Sequence, residues 1–510
     1  MPLADSASEH YALRLVDTLR REPDRVVLRT TDGTVRAGDF LDSVTRAAAA
    51  LHRAGTTPAD TVAVMTEPNS PAMLSARYAT HLLGAAVTHI RSMNARSDVE
   101  ALPRSAQARV LRATGARFLV VDEAGVERGR ALRDDIDGLT VVNLDTLLPG
   151  PVRMPPVAPY EPGNPAVVDL TSGTAGEPKL VRRTYGVRGR LISLSAGASQ
   201  PGRPLTLLAV TPISHATATM VDSVLTGGGA VVLHQDFDLG AVLRALREHG
   251  VTDLYLAVPH LYRLLDHPGI DTADFPALRQ VLYSGTAAAP ARIEQAAELF
   301  GNALTQLYGS TEAGGICSMT PLDHQEPELL GSVGRPFPWV SIEIRDPVTG
   351  AEVEHGETGE ICVRSPTLMD GYIGDGLTEG VLRDGLLRTG DLGRWDRYGY
   401  LHLVDRIGSI VKSHGLKLYP ATIQRVLQSH PQVADAVVYG VRDNDYAEHI
   451  HAAVHLRDGA DCSDDDLRSH VAAALSESHV PAAIYRWPGL PLSESGKPDY
   501  ATLRIRKGPS

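Results

Sequence analysis

The sequence predicts an α/β architecture with largely parallel sheets over its first four hundred residues, closed by a small α+β unit. Three observations predict it. Short apolar runs alternate with helical stretches, the pattern of strand–helix–strand units. The chain's 510 residues exceed one ordinary core and suggest two to four domains. Near residue 405 the character of the sequence changes, and its last hundred or so residues read differently.

The strand candidates in the first part are "RFLVVDE", "LTLLAV", "AVVLHQ", "DLYLAV" and "RQVLYSG". A helix is expected at "PARIEQAAELFG", where Ile293, Ala297, Leu299 and Phe300 share a face and Gly301 is placed to stop it. The segment 148–165 carries seven prolines in eighteen residues and reads as an irregular linker. Beyond residue 405, "DAVVYGV" and "HIHAAVHL" read as strands, the second with Ile450, Ala452, Val454 and Leu456 on one side. A helix follows in "SDDDLRSHVAAALSESHVP", with Ser463 as its cap, Leu467, Val471 and Leu475 aligned, and Pro481 ending the run.

With 43% hydrophobic and 22% charged residues, the chain reads as a soluble globular protein. Its net charge of −12 leaves no basic excess to neutralise phosphates, which argues against nucleic acid or an anionic membrane as partner. A small molecule is the expected ligand. Cys317, Cys362 and Cys462 are far apart and lack metal-ligand spacing, so neither a disulfide framework nor a zinc site is expected. The N-terminus has no basic patch followed by an apolar core, and no stretch approaches membrane-spanning length. A cytoplasmic protein is expected; its oligomeric state is not legible.

Directly after the apolar run 166–170 stands "TSGTAGEPK", residues 171–179. Glycines let backbone N–H groups converge, hydroxyls add donors and a lysine adds charge, a combination suited to a polyphosphate. An ordinary exposed turn satisfies the same composition. The spacing is not that of the P-loop, because Leu180 stands where a magnesium-binding hydroxyl would be. "QLYGSTEAGG", residues 306–315, combines a ring for base stacking (Tyr308), a hydroxyl for a phosphate (Thr311) and a carboxylate for Mg²⁺ (Glu312). "RTGDLGRWD" sets Asp391 in a turn where a carboxylate can accept both hydroxyls of a ribose. "PLSESGKPDY" places Lys497 after the permissive Gly496, although a lysine near a C-terminus is ordinarily just solvated.

In this order and at these separations the motifs resemble those of the AMP-forming adenylating superfamily: acyl-CoA ligases, aryl acid ligases, carrier-loading adenylation domains and firefly-type luciferases. The resemblance spans roughly residues 25–505. It implies an N-terminal ATP- and acid-binding domain over residues 1–404, built of stacked, mostly parallel sheets with helices. A hinge over 405–409 and a mobile α+β domain over 410–510 follow. By resemblance, Thr171, Ser172, Gly173, Thr174, Gly176 and Lys179 belong to a loop that wraps the β- and γ-phosphates of ATP. Gly285, Thr286 and Ala287 border adenine and substrate, Tyr308 stacks on adenine, Gly309 and Ser310 belong to the ATP site beside it, and Thr311 contacts the α-phosphate. Glu312 binds Mg²⁺, Asp391 holds the ribose, Arg406 adds a ribose or phosphate contact, and Lys497 bridges substrate carboxylate and α-phosphate. After adenylation the small domain rotates and presents "KSHGLKLYP", whose Gly415 lines a channel for the second substrate.

"TPISHATATM" resembles one wall of the acid pocket, with His215 either touching the acyl group or packed as an ordinary histidine. Opposite it, Ala313, Gly314, Gly315 and Ile316 leave room that suits a flat aromatic or heteroaromatic acid, although a long acyl chain fits the same space. The expected reaction is activation of a carboxylic acid as acyl-AMP with release of pyrophosphate, then transfer to CoA. The alternatives are amide formation with an amine and loading of a carrier protein. Three departures bear on the acceptor: Gly408-Ser409 at the hinge, Thr422 where a glutamate is usual, and Pro498-Asp499-Tyr500 where a basic residue is common.

Overall fold

The computed structural model describes residues 10–90, 102–147, 152–171, 179–195, 204–214, 216–374, 376–413, 416–442, 448–493 and 496–505. Two sheets dominate the first four hundred residues. The nine-stranded one runs Arg335–Pro336, Gly314–Met319, Leu304–Ser310, Gln280–Ser284, Asp253–Ala257, Thr206–Ala209, Ala230–Leu233, Val26–Thr30, Gly33–Arg36. Its steps from Leu304–Ser310 to Val26–Thr30 are parallel, and its margins are antiparallel. The seven-stranded one runs Gly371–Tyr372, Leu180–Thr184, Pro165–Leu170, Ala86–His89, Thr61–Met65, Phe118–Val121, Thr140–Asn143, antiparallel in its first two steps and parallel thereafter. The five expected strands are all present.

Helices Tyr11–Arg21, Ala37–Arg53, Pro71–Leu82, Tyr185–Ser195 and Ala216–Thr226 fill the space between the two sheets. One cluster joins Leu15, Phe40, Leu74 and Val221 to Leu28 and Leu207 of one sheet and to Val62 and Val64 of the other. The alternate residues face outward: Leu208 and Leu254 pack under Leu239–Glu248, Val258–Leu265 and Pro290–Phe300, while Ala63 and Leu119 pack under Arg104–Thr114 and Val126–Asp135. Burial on both faces is why these strands read as unbroken apolar runs. A third sheet over Ser341–Arg345, Gly359–Arg364, Leu382–Arg383, Leu386–Trp395 and Leu401–Arg406 is antiparallel throughout. Among the described residues no helix separates its strands, and without a crossover no parallel pairing forms.

Two expectations are refined. Helix Pro290–Phe300 buries Ile293, Ala296 and Phe300, with Ala297 and Leu299 only half-buried, because Arg292 enters the protein beside them. The described part of segment 148–165 has no helix or strand before Pro165, which opens the strand Pro165–Leu170, yet Met154, Val157 and Tyr160 pack on the central core and the Ala158 N–H donates to Leu82 O at 3.0 Å.

After Arg406 the chain makes a hairpin, Val411–Ser413 with Leu416–Leu418, and a three-stranded sheet of Val433–Arg442, Glu448–Leu456 and Ala483–Arg486. Ile450, Ala452 and Val454 face Ile423, Leu427, Leu467 and Val471, with Leu456 at the margin. Each such buried Leu, Ile or Val stabilises the unit by about 1.5–3 kcal/mol. Ser463 caps helix Asp464–Ala474 reciprocally with Asp466. The helix ends at Ala474, short of Pro481, and a turn at Glu477–His479 intervenes.

Candidate active site

The candidate residues gather where the parallel strands end. Thr171 follows Pro165–Leu170, Gly285 follows Gln280–Ser284, and the turn 311–313 follows Leu304–Ser310. In open α/β sheets this carboxyl edge is where ligands bind. Loop 171–179 is closed at its base by Thr171 N–H donating to Lys179 O at 2.9 Å. Ser172, Gly173, Thr174 and Gly176 lie outside the described residues, as do His215 and Gly415.

Strands Leu304–Ser310 and Gly314–Met319 form a hairpin whose turn presents Thr311 and Glu312. Gly309 and Gly314 meet so closely that a Cβ on Gly309 would stand 2.2 Å from Gly314 O, so a side chain there would open the turn. The Ser310 hydroxyl is used in the turn, accepting from Ala313 N–H at 3.1 Å. Gly315 leaves the space taken by the Phe337 ring. Ile316 is wholly buried and packs with Val181, Cys317 and Val363.

Tyr308 and Asp391 are both buried, and the Tyr308 hydroxyl donates to Asp391 Oδ2 at 2.8 Å. Arg406, directly opposite Asp391 in the sheet register, donates from Nε to Oδ1 at 2.6 Å. Asp391 holds the Arg406 pKa up. Burial, reinforced by Asp391, pushes the Tyr308 phenol well up, so it remains a donor. Glu312 is half-buried; its Oε1 accepts from the Tyr372 hydroxyl at 2.8 Å and its carbonyl from Met369 N–H at 2.7 Å. Lys179 Nζ lies 4.8 Å from the centroid of the Tyr372 ring.

Lys497 reaches this cluster on a tight turn. Gly496 N–H donates to Ser493 O at 2.8 Å, and Ser493 N–H donates to Lys497 O at 2.6 Å. Gly496 has φ +71°, and a Cβ there would stand 2.4 Å from Ala257 Cβ and 2.9 Å from His260 Cε1. His260 is itself stacked on Phe237 at 4.3 Å and does not yield easily. The Lys497 side chain passes Gly285, its Cε 3.8 Å from where a Cβ on that glycine would sit. Half-buried Thr286 and Ala287 continue this wall. Burial, and then Arg406, lower the Lys497 pKa, while Glu312 and Asp391 oppose the shift. One cation is therefore set among the groups expected to hold nucleotide.

Sequence reasoning missed the residues that support the site from elsewhere in the chain. Tyr372 is one. Asn69, buried at φ +47°, donates to Thr211 O and His234 O and accepts from Ile213 N–H, fixing the strand end that leads to His215. Asp405 accepts from Ala421 N–H at 2.9 Å, and Arg425 donates to Leu403 O at 3.1 Å, so helix Pro420–Ser429 is bonded to the expected hinge. Asp266 receives both Arg292 and Arg457 at 2.8 Å, the latter from beyond residue 410. The signal for these residues is tertiary, and no local motif carries it.

A model of the AMP-binding enzyme family matches residues 15–373, and that of the AMP-binding enzyme C-terminal domain matches 422–497. Feruloyl-CoA synthase of an Amycolatopsis species is 31% identical, over 96% of this chain and 97% of that protein. The structure of amide bond synthetase McbA from Marinactinospora thermotolerans superposes with TM-score 0.83 at 33% identity, covering 97% of this chain and 98% of that one. The o-succinylbenzoate CoA synthetase of Bacillus subtilis, solved with its acyl-adenylate intermediate, gives TM-score 0.81 at 27% identity, covering 98% and 99%. The chain belongs to the AMP-binding enzyme family, within the AMP-forming adenylating superfamily, and is an AMP-forming carboxylate ligase.

Proposed function

We propose that this chain activates an aromatic or heteroaromatic carboxylic acid as acyl-AMP at the Lys497–Glu312–Asp391–Arg406 cluster and passes the acyl group to a second substrate. The observation that carries the reading is the seating of the Lys497 turn against Gly285, Ala257 and His260, which brings an ammonium among the charges of Arg406, Glu312 and Asp391.

Asp391 spends two of its roughly four lone-pair positions on Tyr308 and Arg406, which leaves two for ribose hydroxyls. Lys179 and loop 171–179 take the β- and γ-phosphates, and Thr311 takes the α-phosphate. Among the described residues no group of three or more His, Cys, Asp or Glu gathers to hold a metal. Glu312 alone fits Mg²⁺, which keeps waters and takes its remaining ligands from substrate phosphates. Bound there, Mg²⁺ supplies positive charge that offsets the triphosphate. A substrate carboxylate oxygen bonds to the α-phosphorus as the α–β bridging P–O bond breaks, and pyrophosphate leaves. Lys497 lies between the two anions and stabilises the charge that develops on the phosphoryl oxygens.

CoA is the first acceptor reading: its thiolate sulfur bonds to the acyl carbon and AMP leaves. The support is the 31% likeness to feruloyl-CoA synthase; on this reading the domain after the proposed hinge at 405–409 turns and brings Gly415 toward the site. A second reading, transfer to an amine with loss of one proton, is favoured by Gly408-Ser409 at the hinge and by the 33% likeness to an amide bond synthetase. The test is ATP–pyrophosphate exchange across a panel of carboxylic acids, followed by mass spectrometry of products with CoA and with amines offered separately. Exchange that depends on an aromatic acid is expected. Exchange with none of the acids contradicts the proposal, and thioester or amide as the product decides the acceptor.

A further inference from the structure

Tyr372 joins two parts of the nucleotide site that stand far apart in sequence. Its hydroxyl donates to Glu312 Oε1 at 2.8 Å, and its ring carries Lys179 Nζ at 4.8 Å. The residue is itself fixed. It pairs with Val181 on Leu180–Thr184, the strand that leaves loop 171–179, and its N–H donates to Thr378 Oγ1 at 2.9 Å. It is 9% exposed, and Gly371 before it, at φ +140°, lies against the Thr378 side chain. Met369, three residues earlier, donates its N–H to the Glu312 carbonyl. The segment 369–372 thus holds Glu312 by backbone and side chain while resting on the strand that anchors the phosphate loop.

A carboxylate with one oxygen fixed by a hydrogen bond presents its remaining lone pairs in one direction. Partners of this kind orient a ligating group, and their loss typically costs about 10–100-fold in metal affinity. The aromatic face meanwhile attracts the ammonium of Lys179, which is itself exposed, to one position over the ring. We infer that Tyr372 is a positioning residue that aligns the metal-binding carboxylate of Glu312 with the phosphate-binding Lys179, so that metal and triphosphate are taken up in register. The inference rests on the roles proposed above for Glu312 and Lys179.

The experiment uses Mn²⁺ as a spin probe, titrated into the full-length enzyme with ATP and no acid, alongside calorimetry of ATP without metal. Tyr372→Phe keeps the ring and removes the hydroxyl. It is expected to weaken Mn²⁺ by about tenfold while metal-free ATP affinity stays within about twofold, and to raise the half-saturating Mg²⁺ in pyrophosphate exchange. Tyr372→Ala is expected to lose in addition a few-fold in metal-free ATP affinity. Equal Mn²⁺ affinity in Tyr372→Phe and the unaltered enzyme would overturn the inference. So would equal loss of metal-free ATP affinity in both variants, the mark of a merely structural residue. Glu312→Gln separates the layers: if it binds Mn²⁺ undiminished, the metal role of Glu312 falls and the inference with it. If it loses Mn²⁺ while Tyr372→Phe does not, only the inference falls.

Discussion

The two halves of the candidate site are held by different physics. At the nucleotide end, Tyr308, Asp391 and Arg406 lock one another through charge-assisted hydrogen bonds of 2.6–2.8 Å, between strands of two different sheets. The lysine turn arrives by fit: Gly496 fills a gap beside Ala257 and His260 that no Cβ could enter. The nucleotide end is thus fixed by paired charges. We propose that the shape-fitted turn is released, without stranding a bonded charge, between the two half-reactions.

The contrast breaks most sharply at Gly496. Gly496→Ala must hold alanine at φ +71° and force its Cβ against Ala257. The two penalties together amount to about 2–4 kcal/mol, or roughly a 30- to 1,000-fold loss of pyrophosphate exchange. Calorimetry should find ATP affinity unchanged, and weakened ATP binding would show that the turn also builds the nucleotide end. Asp391→Asn is the complement. Losing the charged partner of Arg406 is worth about 1.5–3 kcal/mol, so ATP should bind about 10–100-fold more weakly, read by ATP titration at saturating acid. Unchanged affinity would place the ribose elsewhere.

A pH profile sharpens the same comparison. Burial and Arg406 lower the Lys497 pKa from the ordinary 10.5, so in the docked turn the proton leaves at a lower pH than from a free lysine. Docking is thus disfavoured while a free lysine keeps its proton, and the penalty fades as pH rises toward the free value. The chemistry needs the ammonium, so exchange should fall on its alkaline side below pH 10.5. An alkaline limb at or above that value would contradict burial of the lysine. The smallest effect is expected at Arg457, whose pair with Asp266 is a third exposed. Arg457→Ala should change exchange by less than about fivefold, as partly solvated pairs contribute about 0.2–1 kcal/mol. A larger loss would mean that this ion pair, and not the fit of Gly496, seats the small domain.

The parallel strands were legible because burial on both faces leaves unbroken apolar runs, and Ser463 was legible because a cap is local. Tyr308, Glu312, Asp391 and Lys497 were legible as motif residues, but their pairing was not. The bond from Tyr308 to Asp391 spans 83 residues and that from Tyr372 to Glu312 spans 60. Arg292 turned the expected face of its helix because periodicity assigns arginine to solvent, whereas here its guanidinium lies over the Tyr262 ring and donates to the Tyr262 carbonyl.

The central claim is that the docked lysine serves adenylation and not the transfer that follows. Its most direct test measures both half-reactions of Lys497→Ala in parallel: ATP–pyrophosphate exchange, and consumption of supplied acyl-AMP by the acceptor. The account predicts that exchange falls by about 100- to 1,000-fold while consumption of acyl-AMP survives. Equal loss of both steps, or exchange that persists, would contradict it.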